Sequence, residues 1–290
     1  MVLIDTYRAP LVLLAAGLGS RFGGVKPVAP VGPNGEALVT IAVAQAVAAG
    51  FDDVVVVVGG ATEGPVRAAL SSAGPSAGSC GVRFAHQVVP AGRSRPWGTV
   101  DALLCADAML GADAMLGSTS DVVVANGDDL YGVDALRRAR EWVLSSSIVA
   151  GAAVLFEVER TLSSAGGVSR AVADVVGASL RGVREERDVH RDDGCIRTGG
   201  GTELAPTTLV SMNLWCLRRA CVVALRMQHG MFIRAHADDP TTENGLPTAI
   251  NMMIRDGLIF EAVATRSRWH GVTWPDDVDR VREALMGGET

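Results

Sequence analysis

Five consecutive valines, Val54–Val58, constrain this chain more than any other stretch. A β-branched run without polar alternation predicts a strand with apolar layers on both faces, which is the situation of a parallel sheet flanked by helices. The residues around it fit that frame. Leu11–Ala16, Val82–Gln87 and Asp121–Ala125 read as further strands. Between them, Ala37–Ala49 (closed by Gly50), Thr62–Ser72 (Thr62 as N-cap, Pro65 in the first turn) and Thr99–Met109 read as helices. Strand–helix alternation of this kind predicts an α/β fold, a Rossmann-like, doubly wound, mostly parallel central sheet with ligands at the carboxyl ends of its strands. The second half changes character. Val168–Val176 and Ser179–Glu186 read as extended, Arg187–Gly201 as a polar, Gly-rich loop or excursion, and Thr208–Leu217 as strand. Helices follow near Arg218–Gln228, Leu246–Asp256 and Asp276–Met286, with a strand at Leu258–Ala264. No clear linker divides the chain, so residues 1–290 are expected to form one domain. Its nucleotide half would span about 11–150, and a β-rich half of about 151–290 would form the other wall of a cleft.

Charge narrows the partners. Lys+Arg number 26 against 32 Asp+Glu, a net charge of −6, so no positive field exists to attract a nucleic acid or an anionic membrane. With 48% hydrophobic residues the chain can bury a substantial core. No signal peptide is read at Met1–Pro10, and no apolar run reaches the roughly 18–20 residues that span a bilayer. A cytoplasmic protein is expected. Cys80, Cys105, Cys195, Cys216 and Cys221 contain no C-x-x-C pair and are odd in number, which predicts thiols rather than disulfides. The histidines, His86, His190, His229, His236 and His270, lack metal-ligand spacing, although His229 and His236 could share a helix face. The hexapeptide Ala-Asp-Ala-Met-Leu-Gly occurs twice, at Ala106–Gly111 and Ala112–Gly117, as a duplication extending a surface helix or loop would.

The chemistry begins after the first strand, in Leu13-Leu14-Ala15-Ala16-Gly17-Leu18-Gly19-Ser20-Arg21-Phe22-Gly23-Gly24-Val25-Lys26-Pro27. Glycines here let backbone N–H groups approach an anion. A dinucleotide fingerprint does not fit. Phe22 stands where its third glycine belongs, Pro27, Pro30 and Pro33 interrupt any following helix, and the second strand ends in Gly59-Gly60 instead of an acidic residue. A Gly-Lys-Ser/Thr phosphate loop is absent as well. What the segment does hold is Arg21 and Lys26, five residues apart: a fork for terminal phosphate oxygens and a compact point charge for a reacting phosphorus. Lys26 is also the only lysine, every other member of the 26 being Arg.

In these residues the chain resembles the sugar-phosphate nucleotidyltransferases, the NDP-sugar pyrophosphorylases, which share a Leu-Ala-Ala-Gly-x-Gly-[Ser/Thr]-Arg…Lys loop. Further segments match in order over roughly residues 11–285. They are Val31-Gly32-Pro33-Asn34-Gly35, Gln87 followed by Pro96-Trp97-Gly98-Thr99-Val100-Asp101-Ala102, and Asn126-Gly127-Asp128-Asp129-Leu130-Tyr131-Gly132. Val183-Arg184-Glu185-Glu186-Arg187, Ser211-Met212-Asn213-Leu214-Trp215 and Trp269-His270-Gly271-Val272-Thr273-Trp274-Pro275-Asp276-Asp277 complete the series.

The resemblance implies attack of a sugar 1-phosphate on the α-phosphorus of a nucleoside triphosphate, with release of pyrophosphate. Arg21 would hold the leaving phosphates and Lys26 would bridge the α-phosphate and the acceptor phosphate. Asp128 would bind Mg2+, a hard cation suited to carboxylate and phosphate oxygens; Asp129 would ligate, cap a helix or support its neighbour. Ala15, Ala16, Gly17, Gly19, Ser20, Gln87, Trp97, Gly98 and Thr99 would contact the nucleotide, with Trp97 either stacking or packing as a lid. Glu186, Arg187, Asn213 and Gly167 would contact the acceptor. One departure stands out: many relatives carry a second metal-binding aspartate in the Trp-x-Asp segment, and Gly271 stands at that position here. Asp276 and Asp277, at a helix start, suit capping better. The partners implied are an NTP and a phosphorylated small molecule, with a homo-oligomer possible. Two alternatives stand beside this reading. One is a cytidylyl- or guanylyltransferase for a polyol, cyclitol or phosphonate acceptor, suggested by Thr273-Trp274-Pro275-Asp276-Asp277. The other is a GT-A-type glycosyltransferase using Asp128-Asp129 as its metal site.

Overall fold

The computed structural model describes residues 9–17, 22–72, 80–112, 121–163, 166–272 and 277–288. Strands β1 (Leu11–Leu14), β2 (Asp53–Val58), β3 (Gly81–His86) and β4 (Val122–Asn126) pair in parallel in the order β3-β2-β1-β4. Helices α1 (Leu38–Ala48), α2 (Glu63–Ser72) and α3 (Thr99–Ala112) connect or flank them. The valine run lies at the centre of β2, and its residues divide by parity as a pleated strand requires. Val54, Val56 and Val58 pack into one core layer with α1, and Val55 and Val57 into the other with α3. A strand covered on both faces cannot alternate with polar residues, which is why the run is unbroken.

The sheet does not stay parallel. Beyond β4 comes β11 (Leu209–Leu217), antiparallel to it, then β6 (Gly151–Glu157) and β12 (Phe260–Thr265), giving the order β4-β11-β6-β12. Strands β7 (Val168–Val176) and β8 (Ser179–Asp192) form an antiparallel pair, β7 also meeting β11 and β8 meeting β12. The expectation of a mostly parallel sheet therefore holds for the first half, and the second half is largely antiparallel. Strand β8 also runs further than the predicted 186. Asp193 (φ 45°) and Gly194 (φ 83°) form a tight turn that folds β9 (Cys195–Arg197) back onto it, with β10 (Glu203–Leu204) beside β9. An Asp-Gly pair is a favoured hairpin turn because both residues tolerate positive φ, so the polar stretch after Glu186 is a hairpin arm.

Helices α4 (Val133–Leu144) and α1 cover one face of the sheet, and α3, α5 (Arg219–Ala235) and α6 (Leu246–Arg255) the other. A two-strand ladder joins β5 (Asp129–Leu130) to β13 (His270–Gly271), ahead of α7 (Asp277–Met286). Among the described residues no helix is long and apolar enough to cross a membrane, and all five cysteines are thiols. The first copy of the repeated hexapeptide lies at the end of α3. Most of the second lies outside the described residues.

Candidate active site

The site forms where β1 and β4 end side by side. The Gly127 N–H donates to the Leu14 carbonyl at 2.9 Å, and a Cβ on Gly127 would come within 2.8 Å of the Ala15 side chain. Only glycine lets the two strand ends press together here. The chain then turns through Gly127-Asp128 into β5, presenting Asp128 to solvent and burying Asp129. From the opposite side Lys26 opens a short 3₁₀ turn, Lys26–Val28, with Pro27 at its centre. Its Nζ stands 2.8 Å from Asp128 Oδ2 and 4.0 Å from Asp129 Oδ1.

Electrostatics are concentrated in these three residues. Burial pushes the Asp129 carboxyl up, and the neighbouring Asp128 adds to this, to about 6, against the pull of Lys26, the Asn126 amide and Arg170. Burial works against the Lys26 ammonium, yet Asp129 and Asp128 together outweigh it and raise its pKa above the ordinary value. The lysine stays charged, and it is the one cation in direct contact with the carboxylate pair among the described residues.

Asp129 is held by a chain of amides. Trp215 Nε1 donates to Asn213 Oδ1 at 2.8 Å, Asn213 Nδ2 to Asn126 Oδ1 at 2.7 Å, and Asn126 Nδ2 to Asp129 Oδ2 at 2.8 Å. Asn213 adopts φ +65°, an unusual conformation for a residue other than glycine, and this aims its amide across the sheet from β11 to β4. The Tyr131 hydroxyl donates to the Met212 carbonyl at 2.8 Å and accepts from the Asn126 N–H at 3.0 Å, closing the network. Asn213 was expected on the acceptor; one of its N–H groups and its oxygen serve this relay, and it lines neither cavity described below.

One cavity reaches the cluster at Asp128, and a second approaches it from behind Gly271. The larger, about 850 Å³, is lined by Ala15, Ala16, Gly17, Gln87, Gly98, Thr99 and Asp128, among others. Most of the expected nucleotide contacts therefore share one cleft. Gln87 donates from Nε2 to the Gly98 carbonyl (2.9 Å) and to Asp101 Oδ2 (2.8 Å). With both N–H groups engaged, its carboxamide oxygen is the group left for a ligand. Gly98 (φ +98°) is required because a Cβ would lie 2.7 Å from the Asn244 carbonyl. Trp97 is packed elsewhere: it is absent from the cleft lining, with Arg93 over its ring at 3.3 Å and Phe232 at its edge. Gly19, Ser20 and Arg21 lie outside the described residues, as do Thr273–Asp276.

The smaller cavity, about 330 Å³, is lined by Gly167, Arg170, Asp188, Trp269, Gly271, Asp277 and Arg280, among others. Gly167 is where the acceptor reading places it, and its missing Cβ leaves room for the Asp188 side chain. Glu186 and Arg187 do not line it: Glu186 pairs with Arg184 at 2.5 Å, and Arg187 is exposed. Gly271 separates cavity from cluster. A Cβ there would lie 2.9 Å from Asp129 Oδ1 and would also collide with the Trp269 ring, so the position expected for a second carboxylate is filled by its neighbours. Sequence reasoning also passed over Arg170. The signal was present, an arginine in register with Val168 and Val172 on the inward side of an alternating strand.

No curated protein matches the chain. Residues 11–144 match the MobA-like NTP transferase domain. The first half of the chain is similar to that domain. A UDP-glucose pyrophosphorylase solved with UDP-glucose superposes with TM-score 0.62 at 16% identity, over 97% of this chain and 99% of that one. The inositol-1-phosphate CTP transferase from T. maritima superposes with TM-score 0.61 at 13% identity, over 98% of both chains. A UTP-bound UGPase from Acinetobacter baumannii gives 0.58 at 17%, over 96% and 93%. The whole chain thus has the nucleotidyltransferase fold, and the matched segment supplies both sides of the Lys26–Asp128 pair.

Proposed function

We propose that this nucleotidyltransferase condenses an NTP with a sugar 1-phosphate, giving an NDP-sugar and pyrophosphate. The observation that carries the reading is the Lys26–Asp128–Asp129 cluster, with Asp128 in the wall of the larger cavity and Asp129 behind Gly271 of the smaller. The larger would take the nucleotide on residues 11–150, with base and ribose toward Gln87 and Gly98. The smaller, lined from 162 to 281, would take the acceptor in the same single domain. In the reaction an acceptor phosphate oxygen bonds to the α-phosphorus while the bond from that phosphorus to the β-bridging oxygen breaks, and the electron pair leaves with pyrophosphate. Such a transfer needs alignment and charge neutralisation more than covalent catalysis. Lys26, released from Asp128 by the incoming phosphates, supplies the positive charge at the reacting phosphorus, and Arg21 would hold the leaving group.

The donor set fits Mg2+. Asp128 and Asp129 offer two adjacent carboxylates, and no cluster of three His, Cys, Asp or Glu exists among the described residues. Mg2+ is commonly bound by one or two carboxylates, with substrate phosphates and water completing its octahedron. Bound there, it would neutralise charge on the phosphates.

The likeness to an inositol-1-phosphate CTP transferase favours a second reading, a cyclitol or polyol phosphate acceptor with CTP. A cavity of about 330 Å³ suits either a monosaccharide or a cyclitol. The test is a matrix of four NTPs against sugar 1-phosphates and cyclitol or polyol phosphates, with and without Mg2+, read as pyrophosphate release. One productive pair that depends on Mg2+ supports the reading and selects the acceptor. Sugar transfer from an NDP-sugar with no NTP-dependent pyrophosphate release would overturn it.

A further inference from the structure

Arg170 is 6% exposed. Its guanidinium donates to Thr161 Oγ1 at 2.9 Å, to the Ser169 carbonyl at 2.7 Å and to the Thr161 carbonyl, all neutral acceptors. Among the described residues no carboxylate stands within ion-pair distance of it. Taking a guanidinium out of water is costly without a counter-charge, and the contacts to Thr161 and Ser169 could be made by a neutral donor. Three of its five N–H groups are used. Beneath it lies the Trp269 ring, 4.9 Å away, whose Nε1 is buried with no hydrogen-bond acceptor among the described residues. Both side chains line the 330 Å³ cavity. Asp129, behind Gly271, acts on the guanidinium only through space, beyond ion-pair distance; of the acids lining the cavity, Asp277 is engaged by Arg280 and the Asp188 side chain is 62% exposed. A desolvated cation and an unmet indole N–H in one wall make a cavity whose donors no anion touches directly.

We propose that Arg170 and the Trp269 N–H bind the phosphoryl group of the acceptor, and that the exposed Arg187 does not. This rests on the nucleotidyl-transfer reading for the identity of the ligand, while the anion site itself does not. The cavity adjoins Gly271, whose backbone packs on Asp129, so a phosphate held there borders the carboxylates that face Lys26.

The probe is inorganic phosphate, titrated calorimetrically into the full chain saturated with a non-hydrolysable NTP analogue, so that the nucleotide loop is already occupied. Arg170→Gln should weaken phosphate binding by about tenfold or more, as loss of a charge-assisted contact does, and Trp269→Phe by about threefold. Affinity for the analogue should stay within about twofold in both. With turning-over enzyme, the acceptor KM should rise in step while kcat changes less. Unchanged phosphate affinity in folded Arg170→Gln overturns the assignment, as does phosphate binding abolished by Arg187→Gln. If Arg170→Gln fails to fold, Arg170→Lys decides: it keeps the charge and loses the fork, and wild-type affinity together with wild-type acceptor KM would again overturn it. The titration needs no turnover, so an unproductive reaction matrix defeats the nucleotidyl-transfer reading and leaves the anion site standing or falling on its own result.

Discussion

Before any substrate arrives, Lys26 is already neutralised by Asp128 at 2.8 Å. An ammonium can leave that partner for a phosphate by a small rotation of its flexible stem. A guanidinium would span Asp128 and Asp129 as a planar fork, and its charge would lie in a different place. Lys26→Arg should therefore fold with a wild-type melting curve and lose turnover by on the order of 10²–10³-fold; near-normal kcat would refute the point-charge role. Gly271→Asp, which would install the carboxylate found in many similar enzymes, should not improve metal use. Its Cβ meets the Trp269 ring and Asp129 Oδ1, and overpacking of this kind costs about 1–3 kcal/mol. A lower melting temperature and weaker Mn2+ binding are expected, and tighter Mn2+ binding would contradict this account. Asp129 makes a pH prediction. Its folded pKa, about 6, lies above the ordinary carboxylate value, so the folded state holds this proton better than the unfolded chain does. The stability that the proton contributes is complete below about pH 4 and is lost as pH rises through about 6. In metal-free buffer, Asp129→Asn should melt higher than the wild type at pH 7, and the gap should close toward pH 4. A gap independent of pH would show that Asp129 titrates normally.

Between elements, the decisive connection is the amide relay from β11 to β4. Asn213→Gly separates its two roles, since glycine accepts φ +65° without strain while losing the bond to Asn126. The variant should keep most of its stability but let Asn126 and Asp129 reorient, lowering kcat about tenfold with little change in nucleotide affinity. A change in acceptor KM alone would return Asn213 to the acceptor. This scale also marks how far the sequence could be read. The strand–helix alternation of 11–125 was legible because buried parallel strands write continuous apolar runs, and Gly17, Gln87, Gly98 and Thr99 fall together because they follow strand ends. Helix α4 and strand β6 have weaker signals, although α4 is amphipathic, and the polar composition of 187–201 suggests a loop or excursion where the Asp193-Gly194 turn makes a hairpin arm. The relay and the Arg170–Trp269 wall join residues up to 99 positions apart in chain, and no local spacing encodes that juxtaposition.

Over the whole molecule, the chain does not divide where its composition changes. Strand β11, from residues 209–217, lies between β4 and β6, so the centre of the sheet is completed by the second half of the chain. Trp215, fully buried in β11, packs in the same core layer as Val12, Val55 and Val124. The segment 11–144, similar to the NTP transferase domain, is thus a unit of resemblance that lacks a neighbour for β4 when cut out. A fragment of residues 1–150 would expose the edge of β4 and the apolar faces that β11, α5 and α6 cover, which is the condition for edge-to-edge aggregation. It should show no cooperative melting transition and should fail to bind nucleotide, while the full chain unfolds in a single transition seen alike by circular dichroism and tryptophan fluorescence. A folded, nucleotide-binding 1–150 fragment, or two separate transitions in the full chain, would mean that the two halves are independent units and that coupling between the two cavities runs through the Lys26–Asp128–Asp129 contact alone.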